Sequence, residues 1–201
     1  MRKTENNISA FILCGGKSSR MGTEKGLVLY QKKTFVQWSI EATRTITPTL
    51  FLVTENSDYN RFGYPLINDT VKSKGPVGGI YTALKNSTTP WNLILSCDLP
   101  GITSAVVENL VEETNPGTLV SFLCKNQKAY PLMGMYHKDS FLVFTEALEN
   151  NTLCLMDLIK KLNHQAIEIP FSQQKQINNI NTKKELHLLI KNNPCKSQLP
   201  K

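Results

Sequence analysis

What the chain lacks narrows its class before any motif does. No run of about 18 consecutive apolar residues occurs, so no membrane-spanning helix and no membrane partner is expected. The five cysteines, Cys14, Cys97, Cys124, Cys154 and Cys195, are odd in number and show no C-x-x-C spacing. That argues against a disulfide framework or a zinc site and fits a reducing cytoplasm. Aromatic residues make up only 8% and are not interleaved with the basic ones, so a stacking platform for nucleic acid is not expected. Internal repeats and low-complexity blocks are absent as well. The first residues, MRKTENNISAFILCGG, place Glu5, Asn6 and Asn7 between the basic and apolar parts, and no small-residue cleavage site follows. A secretory signal is therefore not expected.

At 201 residues and 40% apolar content, the chain can bury one sizeable core. Residues 1–190 read as a single domain and 191–201 as a polar, basic tail. Lys and Arg outnumber Asp and Glu by 23 to 16. The resulting +7 suits an anionic partner such as a nucleotide, and equally a basic solvated surface.

Apolar runs of strand length recur at Ala10 to Leu13, Leu50 to Val53, Leu93 to Leu95, Leu119 to Leu123 and Leu132 to Tyr136. Helical stripes lie between or after them: Val77, Ile80, Tyr81 and Leu84; Val106, Val107, Leu110 and Val111; Leu155, Leu158, Ile159 and Leu162. A last helix opens with Thr182 and Glu185 in capping-box spacing and should bury Leu186, Leu189 and Ile190. Alternation of this kind predicts an α/β fold, a mostly parallel, Rossmann-like sheet with helices on both faces. Ligands of such sheets sit at the carboxyl ends of strands. Polar or Gly-rich segments after buried strands are therefore site candidates.

The first candidate is LCGGKSSRMGTEK, Leu13 to Lys25. Gly15 and Gly16 let backbone N–H groups approach a phosphate, and Lys17, Arg20 and Lys25 add positive charge. A P-loop is excluded because Phe11 stands where its first glycine belongs, and a G-x-G-x-x-G fingerprint because Lys17 stands two places after Gly15. An ordinary strand-to-helix turn is the plainer reading. The second candidate is Asp98 in LILSCDLPGI, an acid at the end of a buried strand, placed to hold a phosphate-bridging Mg²⁺ or merely to cap the next helix. The third is INNINTKKEL, where Asn179 and Asn181 stand one strand period apart and could present carbonyl oxygens in the same direction, or form a loop-to-helix cap. His137, His164 and His187 show no triad or metal spacing; His137 follows a strand and could meet a ligand there, but a surface histidine is the plainer reading. Cys14 and Cys97 read as small packing residues.

Taken in order, LCGGKSSRMGTEK, NDTVKSKGPVGGI, LSCDLPGI, YPLMGMYHKD and NINTKKEL resemble the molybdenum cofactor guanylyltransferase family over roughly Ala10 to Leu189. The first segment also resembles the L-x-G-G-x-x-x-R-M-G-x-x-K signature of the wider nucleotidyltransferases. The resemblance implies transfer of GMP from GTP to the terminal phosphate of molybdopterin or Mo-molybdopterin, with release of pyrophosphate. It implies nucleotide contacts at Leu13, Cys14, Gly15, Gly16, Lys25, Thr54, Asp69, Asp98 and the Gly75 to Gly79 loop, Gly78 included. Catalytic roles fall to Arg20, Lys25 and Asp98, the Mg²⁺ ligand is Asp98, and Asn179 and Asn181 lie toward the acceptor or metal. Transient contact with other molybdenum cofactor proteins is implied too. Cys14 stands for the more usual Ala, Glu24 for Asp, and Thr54 for Asn. The alternatives are a cytidylyl- or sugar-phosphate nucleotidyltransferase, or a non-catalytic nucleotide-binding module.

Overall fold

The computed structural model describes residues 7–15 and 24–192. Its centre is β1 (Ile8–Leu13), buried at every position. Side chains alternate across it: Ile8, Ala10 and Ile12 face one apolar layer, Phe11 and Leu13 the other. A short antiparallel hairpin follows, β2 (Leu29–Tyr30) and β3 (Lys33–Thr34), and then α1 (Phe35–Thr43). The start of α1 is fixed by a capping box in which the Thr34 N–H donates to the Gln37 side-chain oxygen at 2.7 Å.

The chain then lays down β4 (Leu50–Val53) and β5 (Leu66–Ile67), crosses through α2 (Gly75–Asn86), and returns as β6 (Trp91–Ser96) on the other side of β1. Next come α3 (Ser104–Glu113), the hairpin β7 (Val120–Lys125) and β8 (Lys128–His137), α4 (Phe141–Glu149), α5 (Leu155–Lys160), β9 (His164–Glu168) and α6 (Lys183–Asn192). Among the described residues the sheet has seven strands in the order β5-β4-β1-β6-β8-β7-β9. All run parallel except β8, which is antiparallel to both β6 and β7. The sheet is thus mostly parallel, as the alternation predicts. Helices cover both faces: α1 and α3 pack over Ile8, Ala10 and Ile12, while α2, α4 and α5 pack over Phe11 and Leu13. Among the described residues, no helix is long and apolar enough to cross a membrane.

Three sequence expectations are revised. Leu162 lies just past α5, although it stays buried. No residue of α6 is fully buried: Leu186 and Leu189 pack at the edge of a small cluster with Tyr30, Phe35 and Ile180, while Ile190 is 48% exposed. The helix therefore covers a side of the domain instead of entering its core. Finally, β9 escaped notice because only Ile167 of its five residues is buried, which leaves an edge strand without a continuous apolar run.

Candidate active site

In a parallel sheet the chain reverses direction of travel between β1 and β6, and the crevice at their carboxyl ends is where a ligand fits. Leu13 and Cys14 leave β1 there, and Cys97 and Asp98 leave β6 beside them. The Leu13 carbonyl accepts from the Cys97 N–H at 3.2 Å, and the Cys14 N–H donates to Val53 O at 3.0 Å, so these groups hold the strand ends together. Cys14 and Cys97 are both buried; burial first, then the neighbouring Cys97 side chain, pushes the Cys14 thiol well above its usual range. Both act as packing residues. Gly15 stands exposed at the rim, with open space where a Cβ would lie. Gly16 and Arg20, and Lys17 with them, fall outside the described residues.

Four polar side chains converge at this rim from distant parts of the sequence. The Lys25 ammonium donates to Asp98 Oδ2 at 2.9 Å and to Asn181 Oδ1 at 2.5 Å. Asn179 Nδ2 donates to both Asp98 oxygens at 3.1 Å, and the Ile180 N–H donates to the Asp98 carbonyl at 3.0 Å. The ion pair is sheltered, its two side chains being 15% and 12% exposed. A capping role for Asp98 is thereby set aside: Thr103 occupies the N-cap of α3, and the carboxylate is engaged by Lys25 and Asn179. The expectation that Asn179 and Asn181 present carbonyl oxygens alike is also corrected. Asn181 presents its oxygen to a cation, whereas Asn179 turns its NH₂ to an anion. That leaves Asn179 Oδ1 buried without a hydrogen-bond partner among the described residues.

This orphaned oxygen beside a sheltered carboxylate bears on metal binding. No cluster of three or more His, Cys, Asp or Glu side chains capable of holding a metal occurs among the described residues. A site with one carboxylate and one amide oxygen suits a hard cation that draws its remaining ligands from phosphates and water, which is how Mg²⁺ is commonly held.

On the other flank, Asp69 shapes the loop ahead of α2. Its Oδ1 accepts from the Thr82 hydroxyl at 2.9 Å and the Val71 N–H at 3.3 Å, and Thr82 Oγ1 accepts from the Thr70 N–H at 3.0 Å. Gly75 adopts φ +58, a left-handed conformation that glycine takes without strain. Close packing explains the next two glycines. A Cβ at Gly78 would lie 3.0 Å from Val71 O, and one at Gly79 would lie 3.0 Å from the Leu13 side chain. Thr54 is buried, and its hydroxyl accepts from the Asn56 N–H at 3.1 Å.

Two features were not evident from sequence. Tyr59, fully buried, donates its hydroxyl to Glu24 Oε1 at 3.0 Å and packs so tightly on Gly26 that a Cβ there would clash with Tyr59 Oη. Burial first, then nearby Cys97, Cys14 and Glu24, raise its phenol far above the usual range. Tyr59 thus fixes the residues on either side of Lys25, yet 35 positions separate it from Glu24 and no local signal links them. The second feature is the direction of β8. Because it runs antiparallel, Tyr130 and Pro131 of YPLMGMY lie toward the site edge, while His137 pairs with Trp91 at the opposite edge. His137 is therefore remote from the strand ends that hold Asp98. Pro131 to Met133 bulge from the β7 ladder. The Tyr136 hydroxyl pins that bulge by donating to Pro131 O at 2.8 Å.

Comparison with known proteins places the chain in a family. A family model described as the MobA-like NTP transferase domain matches residues 10–166. A Flavobacterium johnsoniae protein named "Probable molybdenum cofactor guanylyltransferase" is 42% identical over 180 residues, covering 90% of this chain and 95% of that protein. The molybdenum cofactor guanylyltransferase of Vibrio parahaemolyticus is 29% identical over 178 residues, covering 87% and 91%. Among solved structures, molybdopterin-guanine dinucleotide biosynthesis protein A from Archaeoglobus fulgidus shares the fold with a TM-score of 0.75 at 20% identity, over 90% of this chain and 95% of that one. On the span of the family model and the identity to these relatives, the chain belongs to the MobA-like NTP transferases, within the molybdenum cofactor guanylyltransferase family.

Proposed function

We propose that this chain transfers GMP from GTP to the terminal phosphate of molybdopterin or Mo-molybdopterin. An oxygen of the acceptor phosphate forms a bond to the α-phosphorus of GTP. The bond from that phosphorus to the bridging oxygen breaks, and pyrophosphate leaves. The attacking phosphate is an anion at neutral pH, so no side chain is needed to remove a proton. Catalysis then rests on positioning and on charge stabilisation. The observation that carries this reading is the Lys25, Asp98, Asn179 and Asn181 constellation at the carboxyl ends of β1 and β6, in a chain of this family.

In this scheme the loop after β1, with Gly15 and Gly16, receives the nucleotide, and the loop shaped by Asp69 and Gly78 borders it. Lys25 and Arg20 balance charge on the leaving pyrophosphate. Asp98, with Asn179 Oδ1 beside it, holds Mg²⁺, which when bound neutralises charge shared between the phosphates. The bulge of β8, held by Tyr136, faces the acceptor. A cytoplasmic setting belongs to the same proposal, and Cys14, Cys97, Cys124 and Cys154 are free thiols.

The test is incubation of purified protein with molybdopterin, Mg²⁺ and each of the four nucleoside triphosphates in turn, following pyrophosphate. Release is expected with GTP and with none of the others. Release with CTP in preference to GTP would replace the guanylyl assignment by a cytidylyl one, and release without added Mg²⁺ would remove the metal from the scheme.

A further inference from the structure

Lys25 carries a flexible four-carbon stem, and an unrestrained lysine of this kind samples many rotamers. Here its ammonium has a defined address between Asp98 and Asn181. The Asp98 side of that address is set by the end of β6. Its Asn181 side depends on where the main chain of residues 179–182 lies, and that segment is pinned at both ends. At its start, Asn179 and Ile180 bind Asp98. At its end, Glu185 Oε2 accepts from the Thr182 N–H at 2.9 Å, and Thr182 Oγ1 accepts from the Glu185 N–H at 3.1 Å, a reciprocal capping box on α6.

Glu185 does more than close that box. The same oxygen accepts a shorter bond, 2.6 Å, from the Asn181 N–H, one residue before the cap. This bond serves the backbone of the residue that grips Lys25. The Asn181 N–H is also the leading cause of the Glu185 carboxyl lying below its ordinary range. The packing runs in the same direction. Leu186 and Leu189 of α6 lean on Tyr30, Phe35 and Ile180, and that cluster includes Val28, three residues beyond Lys25. The segment carrying Lys25 and the segment carrying Asn181 therefore share one small apolar contact with the helix that Glu185 caps.

We propose that Glu185 is a positioning residue for the reaction: by holding the Asn181 main chain, it fixes the site at which Lys25 is presented to the phosphates. It touches no substrate and acts through Asn181. The turnover part of this inference rests on the guanylyl-transfer reading, whereas the effect on Lys25 does not.

Two measurements on the full chain separate these parts. Proton-nitrogen spectra of the lysine ammonium groups, with the Lys25 signal assigned by its loss in Lys25→Arg, report the Lys25 environment in any variant. Guanylyl transfer well below the thermal midpoint reports kcat and the KM for GTP. Glu185→Ala is expected to shift the Lys25 signal and speed its hydrogen exchange, and to lower kcat at least about tenfold with KM changed less than about twofold. Glu185→Gln should restore both, because its amide oxygen accepts the same N–H groups. Thr182→Ala removes the other half of the box and should lower the thermal midpoint without moving the Lys25 signal. If Glu185→Ala does not fold, Glu185→Asp, too short to span both N–H groups, takes its place with the same expectation. An unchanged Lys25 signal and unchanged kcat in Glu185→Ala, with only a lower midpoint, would overturn the proposal and leave a helix cap. A wild-type protein that transfers no GMP would overturn the function, and the spectra alone would then decide the role of Glu185.

Discussion

The two flanks of the site are built by opposite means. Around Asp69 the bonds join residues 2, 12 or 13 positions apart, pair side chains with main-chain N–H groups and a hydroxyl, and shape one loop on the end of α2. Around Asp98 the side-chain partners stand 73, 81 and 156 positions apart, and two of the groups carry full opposite charges. The Asp69 flank can form whenever its loop and helix form. The Asp98 flank exists only once β1, β6 and the approach to α6 are all in place. Substitutions on the Asp98 flank should therefore strike chemistry, and those on the Asp69 flank should tune binding.

The largest expected effect is that of Asp98→Asn. The shape is kept but the anion is lost, both as the partner of Lys25 and as the proposed Mg²⁺ ligand. Turnover should fall by about 10²–10³-fold, the scale on which removing one aligned electrostatic partner acts, with the circular-dichroism spectrum unchanged. Turnover within about tenfold of wild type would erase the distinction between the flanks. Next is Gly26→Ala, which places a methyl group against Tyr59 beneath Lys25. Overpacking of this kind costs about 1–3 kcal/mol, read from denaturant unfolding. Adding Tyr59→Phe should recover part of that loss, because the closest atom, the hydroxyl, is gone. Additive losses in the double variant would show that the contact does not organise this flank. The smallest effect is expected from Thr82→Val, which strips one donor from Asp69 and the acceptor from Thr70. It should cost about 1 kcal/mol and raise the KM for GTP by roughly fivefold at constant kcat. A fall in kcat instead would mean that the Asp69 flank reaches the reacting phosphates.

Much of this was legible in the sequence because its signals are short-ranged. The continuous apolar run Ala10 to Leu13, the stripe Val77, Ile80 and Leu84 at helical spacing, and the Thr182 and Glu185 cap three positions apart are local patterns, and each appears in the structure. Asp98 stood out as a charge just beyond a buried strand, and Lys25 as one of three cations in the Gly-rich loop after another. What failed to show were features without a local pattern. The antiparallel course of β8 looks like any buried strand, so only the structure removes the minor reading of His137 as a ligand contact and leaves it at the opposite edge. The edge strand β9 lacks an apolar run. The opposite polarities of Asn179 and Asn181 depend on which charge each meets, and their residue type is the same.

By itself, then, the sequence determined the alternating α/β plan, the strand ends that carry polar loops, and the identity of Lys25, Asp98, Asn179 and Asn181, because backbone periodicity and chain direction follow from neighbouring residues. Only the tertiary structure decided that Lys25 pairs with Asp98, that Asn181 accepts while Asn179 donates, and that Tyr59 underlies Gly26. Each of those depends on distances between residues far apart in the chain, which assembly of the sheet alone sets.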